Sequence, residues 1–452
     1  MLMDKTNRYD LVILGGGPGG YRAAEHAGKR GMSVALIEKE HLGGVCLNRG
    51  CIPTKTLLHS AKTYLHAVEG ERFGVRADGV EYGLEGAMDW KNSTIDALRK
   101  GIAYQMKRFG VEVVEASGRF VGPTAIEAAG TVYEGKSAII ATGSSPVVIP
   151  IPGIDSSRVV TNRDVLEITQ LPVKLVIIGG GVIGMEFASY FSTVGTEVHV
   201  VEMLDEIIPV VDSEIAEAIR KALSGVTYHL GARVEAVTDS GIRYTRGEET
   251  VEIEADLVLL SVGRKPNVSG LGLEELGVEI DRTGVKVDEQ MRTNLPNVYA
   301  VGDVNGRSLL AHSAYRMADV AVRDIAGERA FMRYEAIPSV VYTIPEAASC
   351  GMSEADAKDS GIPVKIGRLP MRANGRFLAE YGKAPGFCKV VIDERSDVVL
   401  GVHLFGDGCS EMIFGAAAML ENELRASDIE EIVFPHPTVS EIIQDTLFTL
   451  PE

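Results

Sequence analysis

Two stretches of the chain share one pattern of apolar and polar residues. Each begins with a short apolar run, Tyr9–Leu14 or Lys174–Ile178, that leads into a glycine-rich turn. A helical segment follows, and then a second apolar run, Ser33–Ile37 or Glu197–Val201. Short apolar runs bounded by glycine predict buried strands, and strands that alternate with helices predict a parallel α/β sheet. We therefore expect two similar α/β units in one chain.

The two glycine-rich turns have the same spacing. The first glycine turn carries Gly15, Gly17 and Gly20, and the second glycine turn carries Gly179, Gly181 and Gly184. An acid ends the next strand 23 positions after the first glycine, since 38 − 15 = 23 for Glu38 and 202 − 179 = 23 for Glu202. Such glycines let the backbone approach a pyrophosphate at a helix start, and such an acid accepts hydrogen bonds from a ribose. One triplet is weak evidence, but two of equal length predict two Rossmann-like dinucleotide-binding domains.

The remaining pattern predicts a further domain at the end of the chain. Before it, we expect a long helix at Asp89–Gly110, short strands within Val111–Ile140, and buried strands at Leu257–Val262 and Val298–Val301. From about Arg333 the pattern changes. Strands at Lys389–Ile392 and Val398–Phe405 flank a turn, and a helix at Ser410–Asn422 follows. This arrangement predicts a separate α+β domain.

Two cysteines, Cys46 and Cys51, lie close together after the first glycine turn. Cysteine is uncommon in this chain, at 5 of 452 residues, so the pair suggests a function. Apolar residues at helical spacing follow from Leu57 to Val68, which places the pair at a helix start, where the helix dipole lowers a thiol pKa. A disulfide there would be redox-active. The spacing alone also allows two buried structural cysteines, or half of a metal site that lacks further ligands nearby.

A second candidate for chemistry lies near the C-terminus. His436 is held between two prolines, which restrict its backbone. Glu441 follows five positions later and, with Thr438, also fits a capping box for a helix at Glu441–Leu450. The capping box accounts for Glu441 without a catalytic role, and a surface position is an alternative for His436.

The bulk composition narrows the class of protein. A length of 452 residues suggests about three domains. The net charge of −18, from 45 basic and 63 acidic residues, argues against nonspecific binding to nucleic acid or to an anionic membrane surface. No apolar run is long enough to span a bilayer, and a strand near Tyr9 leaves no room for a signal peptide. Five cysteines are too few for a secreted disulfide framework, so we expect a cytoplasmic protein.

Together these motifs resemble the pyridine nucleotide-disulfide oxidoreductases and, within that family, the enzymes that oxidise dihydrolipoamide. The resemblance runs through the whole chain in order. It rests on the segments Cys46 to Lys55, Gly302-Asp303, Ala311-His312, Pro338 to Glu346 and His436 to Glu441. Two departures are Arg49, where many relatives carry an aliphatic residue, and Phe434-Pro435, where others have His-Ala. Both concern the detail of substrate fit.

The resemblance implies two cofactors, FAD at the first glycine turn and NAD at the second. It implies four segments: an FAD-binding part at 1–146, an NAD-binding domain at 147–264, a second FAD-binding or central part at 265–334, and a dimerisation domain at 335–452. The residues expected at FAD are Gly15, Gly17, Gly20, Glu38, Cys46, Lys55, Gly118, Thr142, Gly143, Asp303 and Ala311. Those expected at NAD are Gly179, Gly181, Gly184, Glu186, Glu202, Val234 and Gly263, and no metal site is expected.

The resemblance also implies the activity, which is oxidation of dihydrolipoamide with reduction of NAD. His436, oriented by Glu441, would take a proton from a substrate thiol. The resulting thiolate would attack Cys46, the sulfur distal to the flavin, and Cys51 would face the flavin. Rival interpretations are another NAD(P)H-dependent disulfide reductase of the family, and an FAD-binding redox sensor or scaffold without turnover.

Several side chains have expected supporting roles. Lys55 would place a positive charge near the flavin, with Glu186 as its partner by resemblance. Glu186 is also simply a favourable acid in the first turn of a helix. The remaining cysteines are expected to be small buried residues: Cys350, Cys388 and Cys409.

The expected partners are a second copy of the chain and a lipoylated protein. The apolar face of the C-terminal domain, which we expect to include Met412, Ile413, Phe414 and Leu420, would be covered by the same domain of a second subunit in a homodimer. The lipoylated partner would be a lipoyl domain of a 2-oxo acid dehydrogenase complex or the carrier protein of the glycine cleavage system. No lipoyl domain precedes the first strand, so we expect the substrate arm to come from another chain.

Overall fold

The computed structural model describes residues 6–451, which form two compact units. The first unit contains the chain up to Thr56, together with Glu85–Val147 and Gly263–Arg333. The second unit contains Leu57–Leu84, Val148–Val262 and the chain from Tyr334 onward. Along the described chain, no helix combines the length and apolar character needed to cross a membrane.

The described residues form helices α1 to α12. They lie at Pro18–Lys29, Gly44–Arg49, Cys51–Val68, Leu84–Arg108, Val182–Thr193, Ser213–Ala222, Ala311–Ile325, Glu354–Asp359, Gly375–Tyr381, Cys409–Glu421, Ala426–Glu430 and Glu441–Leu447.

The strands of the described residues are β1 to β24. They lie at Thr6–Leu14, Val34–Glu38, Val111–Glu115, Gly118–Gly122, Ala125–Ala128, Thr131–Ile140, Ser144–Pro146, Val159–Val160, Lys174–Ile178, Glu197–Val201, Val226–His229, Arg233–Val237, Gly241–Arg246, Glu249–Glu254, Leu257–Leu260, Arg264–Pro266, Ile280–Asp281, Gly284–Val285, Val298–Ala300, Ser339–Val341, Ala347–Gly351, Val364–Pro370, Phe387–Asp393 and Val399–Phe405.

The first unit is built on a sheet with the strand order β3-β2-β1-β6-β5-β4, and β19 pairs with β6. The central strand β1 runs parallel to both β2 and β6. Its residues Leu11, Val12 and Ile13 are fully buried, as expected of a parallel strand covered on both faces. The small buried side chains Ala23 and Ala24 let α1 lie close to the neighbouring elements. This is the first of the two predicted Rossmann-like domains.

The second unit contains a second parallel sheet, with the order β11-β10-β9-β15-β8. Leu175, Val176 and Ile177 of its central strand β9 are fully buried. The helix α5 follows β9 and buries Phe187 and Phe191. The second glycine turn therefore joins a strand to a helix in the same way as the first, and the predicted pair of Rossmann-like domains is confirmed.

The C-terminal part of the second unit is an antiparallel sheet with the order β20-β21-β24-β23-β22. Its core contains Val390, Val402 and Leu404, together with Ile413 and Ala416 of α10. The predicted α+β domain is confirmed, because α10 packs against an antiparallel sheet. The prediction of an apolar face was partly wrong, because Met412 and Ile413 belong to this core and Leu420 packs against it, whereas Phe414 is exposed.

A buried lysine ties this sheet to α6. Lys389 on β23 is 2% exposed, and its Nζ lies 3.0 Å from the carboxylate of Asp212, the N-cap residue of α6. Carboxylates of Glu214 and Glu354 lie 3.1 and 2.9 Å from the same atom. Burial alone lowers the pKa of a lysine, but Glu354 and Asp212 hold the pKa of Lys389 above its ordinary value. The ammonium group therefore stays charged among its acidic partners.

The cysteine-containing segment differs most from its prediction. We expected both cysteines at the start of one helix. Instead Cys46 lies within the short helix α2, and Cys51 is the first residue of α3. Gly50 separates the two helices with a non-helical backbone, at φ −151° and ψ −111°.

Candidate active site

The first glycine turn joins β1 to α1, and two of its glycines are required by packing. A Cβ atom on Gly15 would lie 2.2 Å from the carbonyl oxygen of Ala141, and one on Gly20 would lie 1.8 Å from that of Gly15. Gly17, the N-cap residue of α1, has more room, since a Cβ there would first meet the Gly44 Cα at 3.7 Å. A glycine N-cap has no side chain to accept the first-turn N–H groups of α1, which suits the binding of a pyrophosphate.

The second glycine turn repeats this geometry between β9 and α5. A Cβ on Gly179 would lie 2.6 Å from the carbonyl oxygen of Ser261, and one on Gly184 would lie 2.2 Å from that of Gly179. A Cβ on Gly181, the N-cap residue of α5, would meet no described atom within 4 Å. The middle glycine is again the one that leaves space for a ligand.

The acids that end the second strands are held alike in the two units. Glu38 accepts the Gly16 N–H through Oε2 at 2.7 Å, and its Oε1 accepts the N–H two residues farther along at 2.8 Å. Glu202 accepts the Gly180 N–H through Oε2 at 2.6 Å, and its Oε1 accepts the N–H two residues farther along at 2.8 Å. Each carboxylate thus lies beside its glycine turn, where the ribose next to a bound pyrophosphate belongs. Both turns therefore fit a dinucleotide.

The two candidate redox cysteines are joined by a disulfide. The Cα atoms of Cys46 and Cys51 are 4.6 Å apart, and both residues are partly exposed. Because each sulfur is bonded to the other, neither is a metal ligand in this state. Lys55 follows one turn after Cys51, and residues four apart lie on the same side of a helix.

A buried amide that the sequence did not reveal fixes α2 in place. Asn48 is 8% exposed, and its Nδ2 donates to the carbonyl oxygens of Leu42 at 3.2 Å and Gly44 at 2.8 Å. Its Oδ1 accepts a hydrogen bond from Arg99 of α4. Asn48 stands between the two cysteines in the chain, so this network supports the segment that the disulfide closes.

The other residues expected at FAD lie in the first unit. Gly118 begins β4, and a Cβ there would come within 2.9 Å of aliphatic side chains of β1 and β2. Ala311 is the first residue of α7. Thr142 and Gly143 are held by Asn267, which exchanges hydrogen bonds with Thr142 at 2.7 and 2.9 Å and donates its N–H to the Gly143 carbonyl at 2.9 Å. Packing alone explains Gly118, whereas no side chain fills the space at Gly143.

Asp303 lies in the turn after β19 and has two neighbours that the sequence analysis missed. Ser144 donates its hydroxyl to the carboxylate, and Arg264 donates to Ser144 Oγ at 2.7 Å. The Arg264 Nε lies 3.9 Å from the carboxylate. Burial lowers the pKa of Arg264, and Asp303 opposes that shift. In the sequence, Arg264 and Ser144 each directly follow a glycine that was predicted to lie at a cofactor site. This position could have identified both residues as candidates.

The residues expected at NAD lie mostly in the second unit. Glu186 of α5 is 4% exposed, and its Oε1 accepts the N–H of Tyr342 at 3.1 Å. Val234 is a buried residue of β12, and Gly263, with φ 109°, belongs to the first unit. The pairing of Glu186 with Lys55 stays a prediction, because the two residues belong to different units.

The C-terminal candidate forms a histidine–carboxylate pair. The His436 Nδ1 lies 2.9 Å from the Glu441 Oε1, and the His436 side chain is 81% exposed. The Glu441 Oε2 accepts the Thr438 N–H at 2.8 Å; this bond, and then His436, holds the pKa of Glu441 below its ordinary value. The capping-box prediction is wrong in part. Ser440 is the N-cap residue of α12, and the Thr438 hydroxyl donates instead to the Pro435 carbonyl.

The structure therefore brings some of the predicted residues together within a unit. Cys46 is bonded to Cys51, His436 pairs with Glu441, and each glycine turn holds its acid. The disulfide lies in the first unit and His436 in the second, so the joint action of these groups stays a prediction.

Comparison with known proteins explains this combination of parts. Residues 9–318 match the family profile described as pyridine nucleotide-disulphide oxidoreductase, and residues 337–447 match the dimerisation domain of the same family. The mitochondrial dihydrolipoyl dehydrogenase of Pisum sativum is 39% identical, with 97% of this chain and 91% of that protein covered. A leghemoglobin reductase of Glycine max is 38% identical, with 97% and 87% covered.

A solved structure agrees with these relatives. The Cu(II) complex of an HOCl-induced flavoprotein disulfide reductase from Escherichia coli superposes with a TM-score of 0.87 at 28% identity, over 98% of this chain and 99% of that one. The two dinucleotide turns, the disulfide and the C-terminal sheet all occur here in one chain that matches the family along almost its entire length. The chain belongs to the pyridine nucleotide-disulphide oxidoreductases and is a flavoenzyme that uses FAD and NAD.

Proposed function

We propose that this protein oxidises dihydrolipoamide and reduces NAD. The observation that carries the proposal is the Cys46–Cys51 disulfide, which directly follows the first glycine turn in a chain that matches dihydrolipoyl dehydrogenases from end to end. A dithiol is a suitable reductant for such a disulfide, because exchange needs only an attacking thiolate and a leaving thiolate.

The sulfur chemistry balances within the chain and its substrate. One substrate thiolate attacks the sulfur of Cys46, the bond between the two cysteines breaks, and Cys51 leaves as a thiolate. The second substrate thiol then attacks the first substrate sulfur, so lipoamide forms and Cys46 is released. The substrate has lost two electrons, which the two cysteines now hold. The first glycine turn and Glu38 would hold FAD, whose redox chemistry would pass this electron pair to NAD.

His436 is the group that we assign to the proton of the substrate thiol. With Nδ1 engaged by Glu441, the imidazole presents Nε2 as the basic nitrogen, provided that Nδ1 carries the proton. The ionised carboxylate of Glu441 fixes this tautomer and stabilises the imidazolium that forms. The exposure of His436 suits a base that meets a substrate from outside its own unit.

We propose that the chain is divided into four functional segments. Residues 1–146 and 265–334 would bind FAD, residues 147–264 would bind NAD, and residues 335–452 would form the dimerisation domain. The C-terminal segment matches the dimerisation domain of the family, so we propose a homodimer. The lipoyl carrier would be a domain of a 2-oxo acid dehydrogenase complex or the glycine cleavage carrier, and the cytoplasm is the compartment that we propose.

An activity panel on the purified holoenzyme tests the function. We expect NAD reduction with dihydrolipoamide, and little NAD(P)H oxidation with glutathione disulfide or coenzyme A disulfide. Cys46→Ser should abolish the dihydrolipoamide reaction. A preference for another disulfide together with NADPH would instead support a different reductase of the family.

A further inference from the structure

One cation lies inside the loop that the disulfide closes. Arg49 is the last residue of α2, three positions after Cys46 and two before Cys51. Residues three apart on a helix are neighbours, with Cβ atoms about 5–6 Å apart. Both Cys46 and Arg49 are partly exposed, and Val45 is 40% exposed. Cys46 and Arg49 are therefore neighbours on a part of α2 that is accessible to solvent.

An acid holds Arg49 in this position. The Arg49 Nη1 donates to the Glu40 carboxylate, and the two side chains are 29% and 39% exposed. The backbone N–H of Glu40 donates to Glu38 at 2.8 Å, and Glu38 accepts the Gly16 N–H at 2.7 Å. A continuous series of hydrogen bonds thus connects the first glycine turn with the disulfide loop, and it keeps the guanidinium beside α2.

The charge of Arg49 differs in sign from that of the chain as a whole, whose net charge is −18. A partly exposed charge acts on an ion over about 8–10 Å at moderate salt. An anion that approaches Cys46 therefore meets an attractive group in Arg49, and Glu40 weakens the attraction because it is paired with that cation.

We propose that Arg49 is a specificity-determining residue that favours negatively charged dithiols over neutral ones at Cys46, and that Glu40 sets the strength of this preference. Among free dithiols, those that bear a carboxylate are the class that this charge favours, whereas the amide-linked dithiol of the proposed function has no charged group of its own. The inference deepens the proposed function and rests on it, because it states how the same disulfide discriminates between dithiols by their charge.

Two alkylating agents of similar size and different charge test the inference directly. In the two-electron-reduced holoenzyme, the rates at which iodoacetate and iodoacetamide modify Cys46 are compared, and peptide mass spectrometry identifies the site. Arg49→Leu should lower the iodoacetate-to-iodoacetamide ratio about 3- to 10-fold. Arg49→Lys should keep the iodoacetate-to-iodoacetamide ratio within about twofold of the wild-type value, because the charge is retained. Glu40→Gln should raise it.

The matched substrates are dihydrolipoate and dihydrolipoamide. The ratio of their kcat/KM values should fall in Arg49→Leu and rise in Glu40→Gln. An unchanged alkylation ratio in Arg49→Leu would overturn the inference, and so would any result in which Glu40→Gln fails to shift the ratio the opposite way. Alkylation needs no turnover of dihydrolipoamide. A wild-type enzyme without that turnover would therefore refute the proposed function alone, while an alkylation ratio that still follows Arg49 would support charge selection at Cys46.

Discussion

At the residue scale, the choice of nicotinamide cofactor depends on Glu202. Both of its oxygens are fixed by backbone N–H groups, so the carboxylate cannot turn away from a ribose at the second glycine turn. We expect kcat/KM for NAD to exceed that for NADP by at least about tenfold, because a carboxylate repels the extra phosphate. Glu202→Gln should lower the ratio of kcat/KM for NAD to kcat/KM for NADP. Glu197→Gln, at the exposed start of the same strand, is the charge-matched control and should leave this ratio unchanged.

Holoenzymes with a serine in place of one or the other cysteine should also differ in their absorbance spectra. If Cys51 is the sulfur beside the flavin, Cys46→Ser holoenzyme should show a long-wavelength thiolate–flavin absorbance without any reductant, since Cys51 is then an unpaired thiolate. Cys51→Ser should lack that band. The opposite result would exchange the roles of the two sulfurs.

The limits of sequence reasoning are clearest in the same residues. The pattern identified His436 and Glu441, and the pair does form. It placed the start of the last helix at Glu441, as observed, but it did not identify Ser440 as the N-cap residue, because the Thr438 hydroxyl donates to the Pro435 carbonyl instead of capping the helix. Nor could it reveal the contact of Arg99 with Asn48, which depends on how α4 packs beside α2 and has no local signature.

At the scale of elements, both dinucleotide turns were predictable because strand, turn, helix and acid follow each other within a few dozen residues. The break at Gly50 between α2 and α3 was not, because a glycine inside a helical pattern is compatible with either a continued or an interrupted helix. The division into two compact units was not predictable either. It depends on contacts between segments that are far apart in the chain.

The buried lysine on β23, Lys389, gives a prediction about the contact between β23 and α6. Lys389→Met removes the ammonium group and leaves the carboxylate of Asp212, which is 3% exposed, without its cationic partner. We expect a loss of about 3–5 kcal/mol in stability, observed as a lower midpoint of thermal unfolding. Lys358→Met on α8, an exposed position, is the control and should change the midpoint little.

The first sheet should carry a pH-dependent contribution from Asp10 on β1. Lys136 and the backbone and hydroxyl of Ser33 lower the pKa of Asp10 to about 2, from an ordinary value of 3.8. The contribution to stability is therefore complete above about pH 4 and is lost as the pH falls toward 2. In urea unfolding, the difference between wild type and Asp10→Asn should stay constant from pH 7 to about 4 and shrink below that. A difference that grows on acidification would contradict this assignment.

At the scale of the whole molecule, the C-terminal domain exposes two large apolar side chains. Phe414 is 77% exposed and Val433 is 92% exposed. Both lie in the segment that matches the dimerisation domain, and Val433 is three residues before His436. An interface that covers this region would also bring His436 to a second subunit, because in a two-fold dimer each copy offers the same surface to the other.

Subunit mixing tests whether His436 acts on the disulfide of the partner. Subunits with Cys51→Ser and subunits with His436→Gln are unfolded together and refolded, and each parent homodimer should be nearly inactive. In a mixed dimer one site collects both defects, while the other combines an intact Cys51 with an intact His436 of the partner subunit. Activity should therefore return, toward half the wild-type value per mixed dimer. If each site were built within one chain, both sites of the mixed dimer would stay defective. The absence of recovery in proven heterodimers would then show that His436 serves its own chain or takes no part in the reaction.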